Sequence, residues 1–307
     1  EMCIRDRYEN VVREKDNFMS VLRYEAPTSI DDATSLLAEN LETIKVLAGG
    51  TDVIVQMHSD RIEPELIVDI KNIPELKQIE KTVDGFKFGA AISGKDLMLN
   101  EGFNKVWPGI MDGVRLIGSL QIRGRASVGG NLCNASPAAD SVPPMIAAAA
   151  IANIVGPAGN RNVPVETIIV KPGQTSLTKG EMVVSFQLPN RPPRSGDAYL
   201  RFTPRTEMDI AVVGVAINLT LDEKGICNSA RVALGAVAPT PILDKNAAET
   251  LIGTKLDEKA LENLARAVQK SISPINDKRG TIEFRGDVVG VLAKRVAEIA
   301  KNRALAN

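Results

Sequence analysis

The residues best placed to do chemistry are Ser127-Val128-Gly129-Gly130-Asn131, where two adjacent glycines stand between a hydroxyl and a carboxamide. Adjacent glycines accept φ > 0 and close backbone approach, so consecutive N–H groups can turn toward one bound anion. Ser127 and Asn131 add side-chain donors at either end. Each amide bond to a charged oxygen is worth roughly 1.5–3 kcal/mol, so a phosphate held this way needs no lysine. A lone Gly-Gly reads as a tight turn. Here a second glycine loop, Ala48-Gly49-Gly50-Thr51-Asp52, follows an apolar run, and the segment after Asn131 stays small and polar as far as Asp140. Two such loops can close on one diphosphate.

Other phosphate chemistries are excluded by spacing. No Gly-x-Gly-x-x-Gly follows a predicted strand, so the Rossmann fingerprint is absent. Gly124 and Gly129 have the outer spacing of a phosphate loop, but Gly130-Asn131 stands where that loop requires Lys-Ser/Thr. An ATPase is therefore not indicated. A lysine-free diphosphate site built from two separate loops suits a dinucleotide such as FAD better than a mononucleotide.

The elements that must position these loops are legible from the hydrophobic pattern. Residues 20–24 read as an edge strand. Ser29-Ile30-Asp31-Asp32 is a capping-box pattern ahead of a helical face at Ile30, Ala33, Leu36 and Leu37. Residues 44–47 form a short apolar strand that runs into the first glycine loop, 53–57 a helix, and 66–70 a second strand. This order predicts a small parallel sheet with the loop at a strand's carboxyl end, the usual ligand position in α/β folds. Beyond residue 78 the texture changes: Asp84-Gly85 between two alternating runs is a hairpin signal. Helices follow, one carrying Ile110, Val114 and Ile117, then the second glycine loop, a helix over 143–150, and strands at 151–155, 162–165 and 182–188. Residues 189–196, Pro-Asn-Arg-Pro-Pro-Arg-Ser-Gly, read as a linker. After it come three strands (199–205, 211–221, 226–236) and three helices, the last with Phe284, Val288, Leu292, Val296 and Ile299 on one side.

Composition narrows the partners. The net charge of −1 offers no field for nucleic acid or an anionic membrane. Residues 145–154, the longest small apolar stretch, are too short to span a bilayer. Cys3, Cys133 and Cys227 lie far apart and His58 is the single histidine, so neither a four-cysteine iron–sulfur cluster nor a zinc site can be assembled. Reduced, unpaired thiols fit the cytoplasm. Cys133 reads as a small core residue rather than a redox thiol, and His58 as a polar helix-end residue. Residues 1–18 are charged, lack an apolar core, and read as an extension outside the fold, with Met19 as the natural start.

The two glycine loops, with Gln121-Ile122-Arg123 and Ala135-Ser136-Pro137-Ala138-Ala139-Asp140, resemble the FAD-binding medium subunits of molybdenum hydroxylases, the xanthine dehydrogenase and aerobic carbon monoxide dehydrogenase family. The resemblance continues through Tyr199-Leu200-Arg201, Arg205, Asp209-Ile210-Ala211, Gly235-Ala236-Val237-Ala238-Pro239-Thr240 and Arg279-Gly280, from about Met19 onward. It implies an α+β protein: a two-part FAD domain of the vanillyl-alcohol-oxidase-like type over 19–196 (subdomains about 19–77 and 78–196). A C-terminal α+β domain over 197–307 would follow, with a three-stranded antiparallel sheet and helices.

By position, the resemblance assigns the flavin diphosphate to Leu47, Ala48, Gly49, Gly50, Thr51 and Asp52 with Ser127, Val128, Gly129, Gly130 and Asn131. Ile117 and Gly118 would line the site, Asn134 would face FAD, and Asp140 would lie near the adenosine end. Tyr199 and Arg201 would stand near the isoalloxazine, with arginine where many members carry lysine, a planar fork in place of a point charge. Read without the resemblance, Asp52 and Asp140 are helix caps and Tyr199 is strand packing. No catalytic side chain and no metal ligand is expected in this chain. Molybdopterin would sit on a large partner subunit and two [2Fe–2S] clusters on a small one, in a dimer of heterotrimers. Electrons would pass through FAD to NAD⁺, a quinone or another acceptor. The alternatives are a free-standing FAD-dependent oxidoreductase of the same fold, such as an enolpyruvyl-sugar reductase type, or a flavin-free assembly subunit.

Overall fold

The computed structural model describes residues 22–307. The extension expected over 1–18, Met19 and Cys3 lie outside the described residues. The chain begins with β1 (Arg23–Glu25), α1 (Ile30–Leu37), β2 (Ile44–Leu47), α2 (Val53–His58) and β3 (Leu66–Asp69). The three strands form a parallel sheet in the order β1-β3-β2. Leu66, Ile67 and Val68 make β3 a continuous apolar run because the central strand is buried on both faces. Ser29 caps α1 by accepting from the Asp32 amide at 3.1 Å, as the capping-box pattern predicts.

The second unit opens with the expected hairpin, β4 (Ile79–Thr82) and β5 (Gly85–Gly89). Six short helices follow: α3 (Gly94–Leu99), α4 (Glu101–Val106), α5 (Pro108–Val114), α6 (Leu120–Arg123), α7 (Val128–Cys133) and α8 (Val142–Ala147). The chain then returns to the sheet as β6 (Ile151–Gly156) and β7 (Gly159–Pro164). A small separate hairpin, β8 (Ile169–Lys171) with β9 (Gln174–Thr175), precedes β10 (Met182–Pro189). The antiparallel order is β4-β5-β10-β6-β7, with the apolar β10 at the centre. Phe86 and Phe88 of β5 meet Phe103 of α4 edge-on, each at 5.5 Å between ring centroids, which anchors the helical layer to the sheet.

The third unit is a sheet of β11 (Ser195–Phe202), β12 (Val213–Leu221), β13 (Cys227–Gly235) and β14 (Ile242–Leu243), in that order and antiparallel. The sheet thus has four strands, not the expected three; β14 is two residues long, too short to show an alternating pattern. Helices α9 (Lys245–Glu249), α10 (Glu258–Ser271) and α11 (Ile282–Ala306) cover one side. The buried face of α11 keeps Leu292 and Val296 of the expected one and is completed by small residues. It includes Ala293, Ala297, Ala300 and Ala304, whereas Phe284 is exposed. Small residues let the helix approach β11 so closely that a Cβ on Gly196 would strike the Ala300 carbonyl.

The segment expected as a linker is pinned rather than loose. Ser195 and Gly196 already belong to β11, so a boundary after Gly196 cuts a strand. Arg191 pairs with buried Asp197 at 2.8 Å, donates to the Val106 carbonyl and lies 4.6 Å over the Trp107 ring. Asp197 also accepts from the Gly109 amide at 2.8 Å, and Arg303 of α11 reaches Asp112 at 2.6 Å. Proline-rich composition here serves a fixed crossing, because the arginines flanking the prolines are both tied down, Arg191 at the start of α5 and Arg194 on the Asp222 carbonyl.

Candidate cofactor site

The first glycine loop leaves the carboxyl end of β2 and enters α2. Gly50 has φ +77°, a conformation that favours glycine. Gly49 lies against the backbone of Arg125, where a Cβ would collide with the Arg125 carbonyl. Gly49 therefore touches the segment leading into the second glycine loop, although 75 residues lie between Gly49 and Arg125. Gly129 plays the same packing role on the other side: its Cβ would strike Ala90, and its amide donates to the Ala90 carbonyl at 3.0 Å.

Ser127 caps α7 by accepting from the Gly130 amide at 3.0 Å. The amides of Gly129 and Gly130, expected to turn toward an anion, are thus both bonded within the protein. What Gly130 supplies is room. A Cβ there would have Ser127 Oγ at 3.1 Å and Ala48 Cβ at 4.0 Å as its nearest neighbours, and nothing on the side of the cleft.

That cleft holds about 420 Å³. Ala48, Gly49, Gly50, Thr51 and Asp52 line it from one side, and Ser127, Gly129, Gly130, Asn131 and Asn134 from the other, with Ile117 beside them. Leu47 and Val128 are buried behind their loops. Gly118 stands behind Ile117 at φ +52°, in a turn held by Arg123, whose guanidinium donates to the Ile117 carbonyl at 3.1 Å.

Asp52 occupies the N-cap position of α2 but makes no side-chain cap. Its carboxylate instead accepts from Asn134 Nδ2 at 3.2 Å, and Asn134 Oδ1 accepts from Gln56 Nε2 at 3.1 Å. Asn131 Oδ1 accepts from the Ser141 hydroxyl at 2.7 Å, which leaves its N–H groups for the cleft.

Asp140, Tyr199 and Arg201 do not line the cleft; they form a buried cluster of their own. The Tyr199 hydroxyl donates to Asp140 Oδ1 at 2.8 Å and Arg201 donates to Asp140 Oδ2. Burial pushes the Asp140 carboxyl up to about 6 against the opposing pull of Arg201 and Tyr199. Asp140, expected near the adenosine end, is thus bonded to the two residues expected at the ring end; one trio cannot serve both. It does not cap α8 either: Ser141 holds the N-cap position, and no side chain caps that helix.

Sequence reasoning passed over Lys45, Gln56 and Glu181, and also Gly173, Thr175 and Leu177 of the segment from the β8–β9 turn onward, all of which line the cleft. Gln56 was within reach of pattern reading, since it lies one helical turn after Asp52 on the same face. Cys133 also lines the cleft, with burial holding its thiol up at about 12, so it is inert at neutral pH. Among the described residues no cluster of His, Cys, Asp and Glu could hold a metal ion, and no helix is long and apolar enough to cross a membrane.

Comparison with known proteins gives matches along both parts of the chain. Residues 18–191 match the family described as FAD binding domain in molybdopterin dehydrogenase, and residues 198–300 the CO dehydrogenase flavoprotein C-terminal domain. The xanthine dehydrogenase FAD-binding subunit of Escherichia coli O157:H7 is 34% identical over 275 residues, 89% of this chain and 94% of that protein. The carbon monoxide dehydrogenase medium chain of Afipia carboxidovorans is 32% identical over 281 residues, 92% of this chain and 97% of that one. Among solved structures, a chain of the Cu,Mo-CO dehydrogenase in its cyanide-inactivated form aligns with a TM-score of 0.88 at 31% identity, over 92% of this chain and 98% of that chain.

Proposed function

This chain belongs to the family of FAD-binding subunits of the molybdenum hydroxylases, and from that premise we propose that it is the electron-transfer subunit of such an enzyme. In this role it takes electrons from [2Fe–2S] clusters of a small partner subunit, which draws them from a molybdopterin centre on a large one. It passes them to NAD⁺, a quinone or another acceptor. The working assembly is a dimer of heterotrimers in the cytoplasm.

The observation that carries the reading is the meeting of two glycine loops, one leaving β2 of the parallel sheet and the other opening α7, at one cleft of about 420 Å³. FAD fits the donors present. Gly130 leaves space where a side chain would stand, and the hydroxyls of Thr51 and Ser127 and the amide of Asn131 are neutral donors suited to a diphosphate. Asn134 holds Asp52 by one oxygen, which limits repulsion between that carboxylate and a bound anion. FAD supplies, when bound, one- and two-electron redox chemistry; the chain's own residues bind and orient it and exclude water.

Co-expression with a cysteine-rich small subunit and a large molybdopterin subunit tests the proposal. The assembly should show flavin and iron–sulfur absorbance that both bleach with substrate, while the isolated chain with FAD shows no substrate-dependent reduction. Oxidation of a carbon substrate by the isolated chain at a comparable rate would replace this reading with a free-standing oxidoreductase.

A further inference from the structure

We propose that the Glu181 carboxylate receives the adenosine ribose hydroxyls of the dinucleotide bound in the cleft, an inference that rests on the FAD reading above. Two groups of residues extend the cleft beyond the glycine loops. One contains Ile117 and Asn131, and Asn131 leads through Ser141 to the Asp140–Tyr199–Arg201 cluster against the C-terminal sheet. The other contains Val46 and Ile62 from the parallel-sheet unit with Leu177 from the approach to β10 and Met182 and Val183 at its start, and its charged members are Lys45 and Glu181. An apolar slot with one fixed acceptor is the environment an adenosine requires: faces for the base, a carboxylate for the vicinal hydroxyls. Asp140 cannot take that part, since it is buried and does not line the cleft.

Glu181 is held for such a task. Arg161 donates Nε to Oε1 at 2.7 Å and a terminal nitrogen to Oε2 at 2.8 Å, and the Thr178 amide donates to Oε2 at 2.7 Å. Oε1 thus keeps a lone pair for another donor. The pairing with Arg161 depresses the Glu181 carboxyl to about 2, so it is an acceptor throughout the neutral range. Two glycines admit it. A Cβ on Gly156 would stand 2.7 Å from Glu181 Cγ, and Gly180, at φ +83°, turns the chain just before it. The side chain is only 12% exposed, so little freedom is lost when a hydroxyl binds.

The test uses the full chain stripped of flavin, titrated with FAD and with FMN, which shares the ribityl phosphate but lacks the adenosine. Glu181→Gln should weaken FAD binding about tenfold and leave FMN binding unchanged. ADP should compete with FAD in the unaltered protein and compete poorly in the variant. A parallel loss of FAD and FMN affinity, or no loss of either, overturns the proposal. Should the variant fail to fold, the unaltered protein is titrated with an FAD analogue lacking the adenosine 2′ and 3′ hydroxyls. About tenfold weaker binding supports the assignment and equal binding overturns it. An unaltered protein that takes up no FAD overturns the cofactor reading itself, a result distinct from a Glu181 variant that binds normally.

Discussion

The Asn134 carboxamide donates to Asp52 Oδ1 at 3.2 Å and so ties the first glycine loop to the end of α7. Burial raises the Asp52 carboxyl above its ordinary value, which marks its charge as poorly solvated. Asn134→Ala removes this donor and releases a carboxylate at the wall of an anion site. FAD affinity should fall about tenfold or more, the weight of one charge-assisted hydrogen bond. Flavin fluorescence titration of the stripped protein measures it, and an unchanged Kd would mean the bond has no part in binding.

Gly130→Val tests the space in the cleft. The valine Cβ would press on Ser127 Oγ at 3.1 Å, and its methyl groups would project where the cleft is open. Flavin content should drop below detection after purification, while far-ultraviolet circular dichroism stays close to that of the parent. Full occupancy in this variant would show that the loop is only a turn.

The buried Asp140 carboxyl gives stability a pH dependence of defined sign. Its folded pKa of about 6 lies above the ordinary 3.8. The folded state therefore holds its proton where the unfolded state has lost it, and the resulting stability is full below the unfolded value and lost as pH rises through about 6. Asp140→Asn keeps an oxygen for Tyr199 and removes the titration. Measured by urea midpoints between about pH 4 and 7, the parent should lose on the order of 3 kcal/mol relative to the variant as pH rises. A change of opposite sign would mean that Arg201 dominates and the carboxylate is the stable form.

Arg191→Leu should destabilise the junction between α5 and β11. It leaves Asp197 buried with its charge less compensated, and breaking one partner of a buried pair costs about 3–5 kcal/mol. Differential scanning calorimetry should show a lowered midpoint, and the double variant Arg191→Leu with Asp197→Asn should recover part of it. A midpoint equal to the parent's would show that the pair contributes nothing.

Much of the frame was legible because local rules governed it. The apolar runs at β2 and β3, the Asp84-Gly85 hairpin and the capped start of α1 each follow from a few adjacent residues. The glycine loops were legible as a pair, and they do meet at one cleft. Their detailed use was not, because it depends on what packs against them. Nothing in Ser127-Val128-Gly129-Gly130-Asn131 announces that one amide goes to Ala90 and the next to Ser127. Glu181 was invisible for the same reason, as its partner Arg161 lies on β7, which β6 separates from the β10 strand that Glu181 precedes. The buried alanines of α11 were missed because large residues outweigh alanine in a hydrophobic pattern, whereas close packing on Gly196 selects alanine.

Trp107 is the single tryptophan of the chain, fully buried, with the Arg191 guanidinium 4.6 Å from its ring. Its emission is therefore a one-site optical reporter, and the site it reports is the seam between the flavin-binding part and the C-terminal sheet. Separation of that seam would hydrate the indole and remove a neighbouring cation, shifting the emission to the red before either part unfolds. Flavin absorbs where indole emits, so energy transfer to a bound cofactor should quench the same signal. Seam opening and cofactor release can thus be timed against each other in a single stopped-flow trace, without any added label.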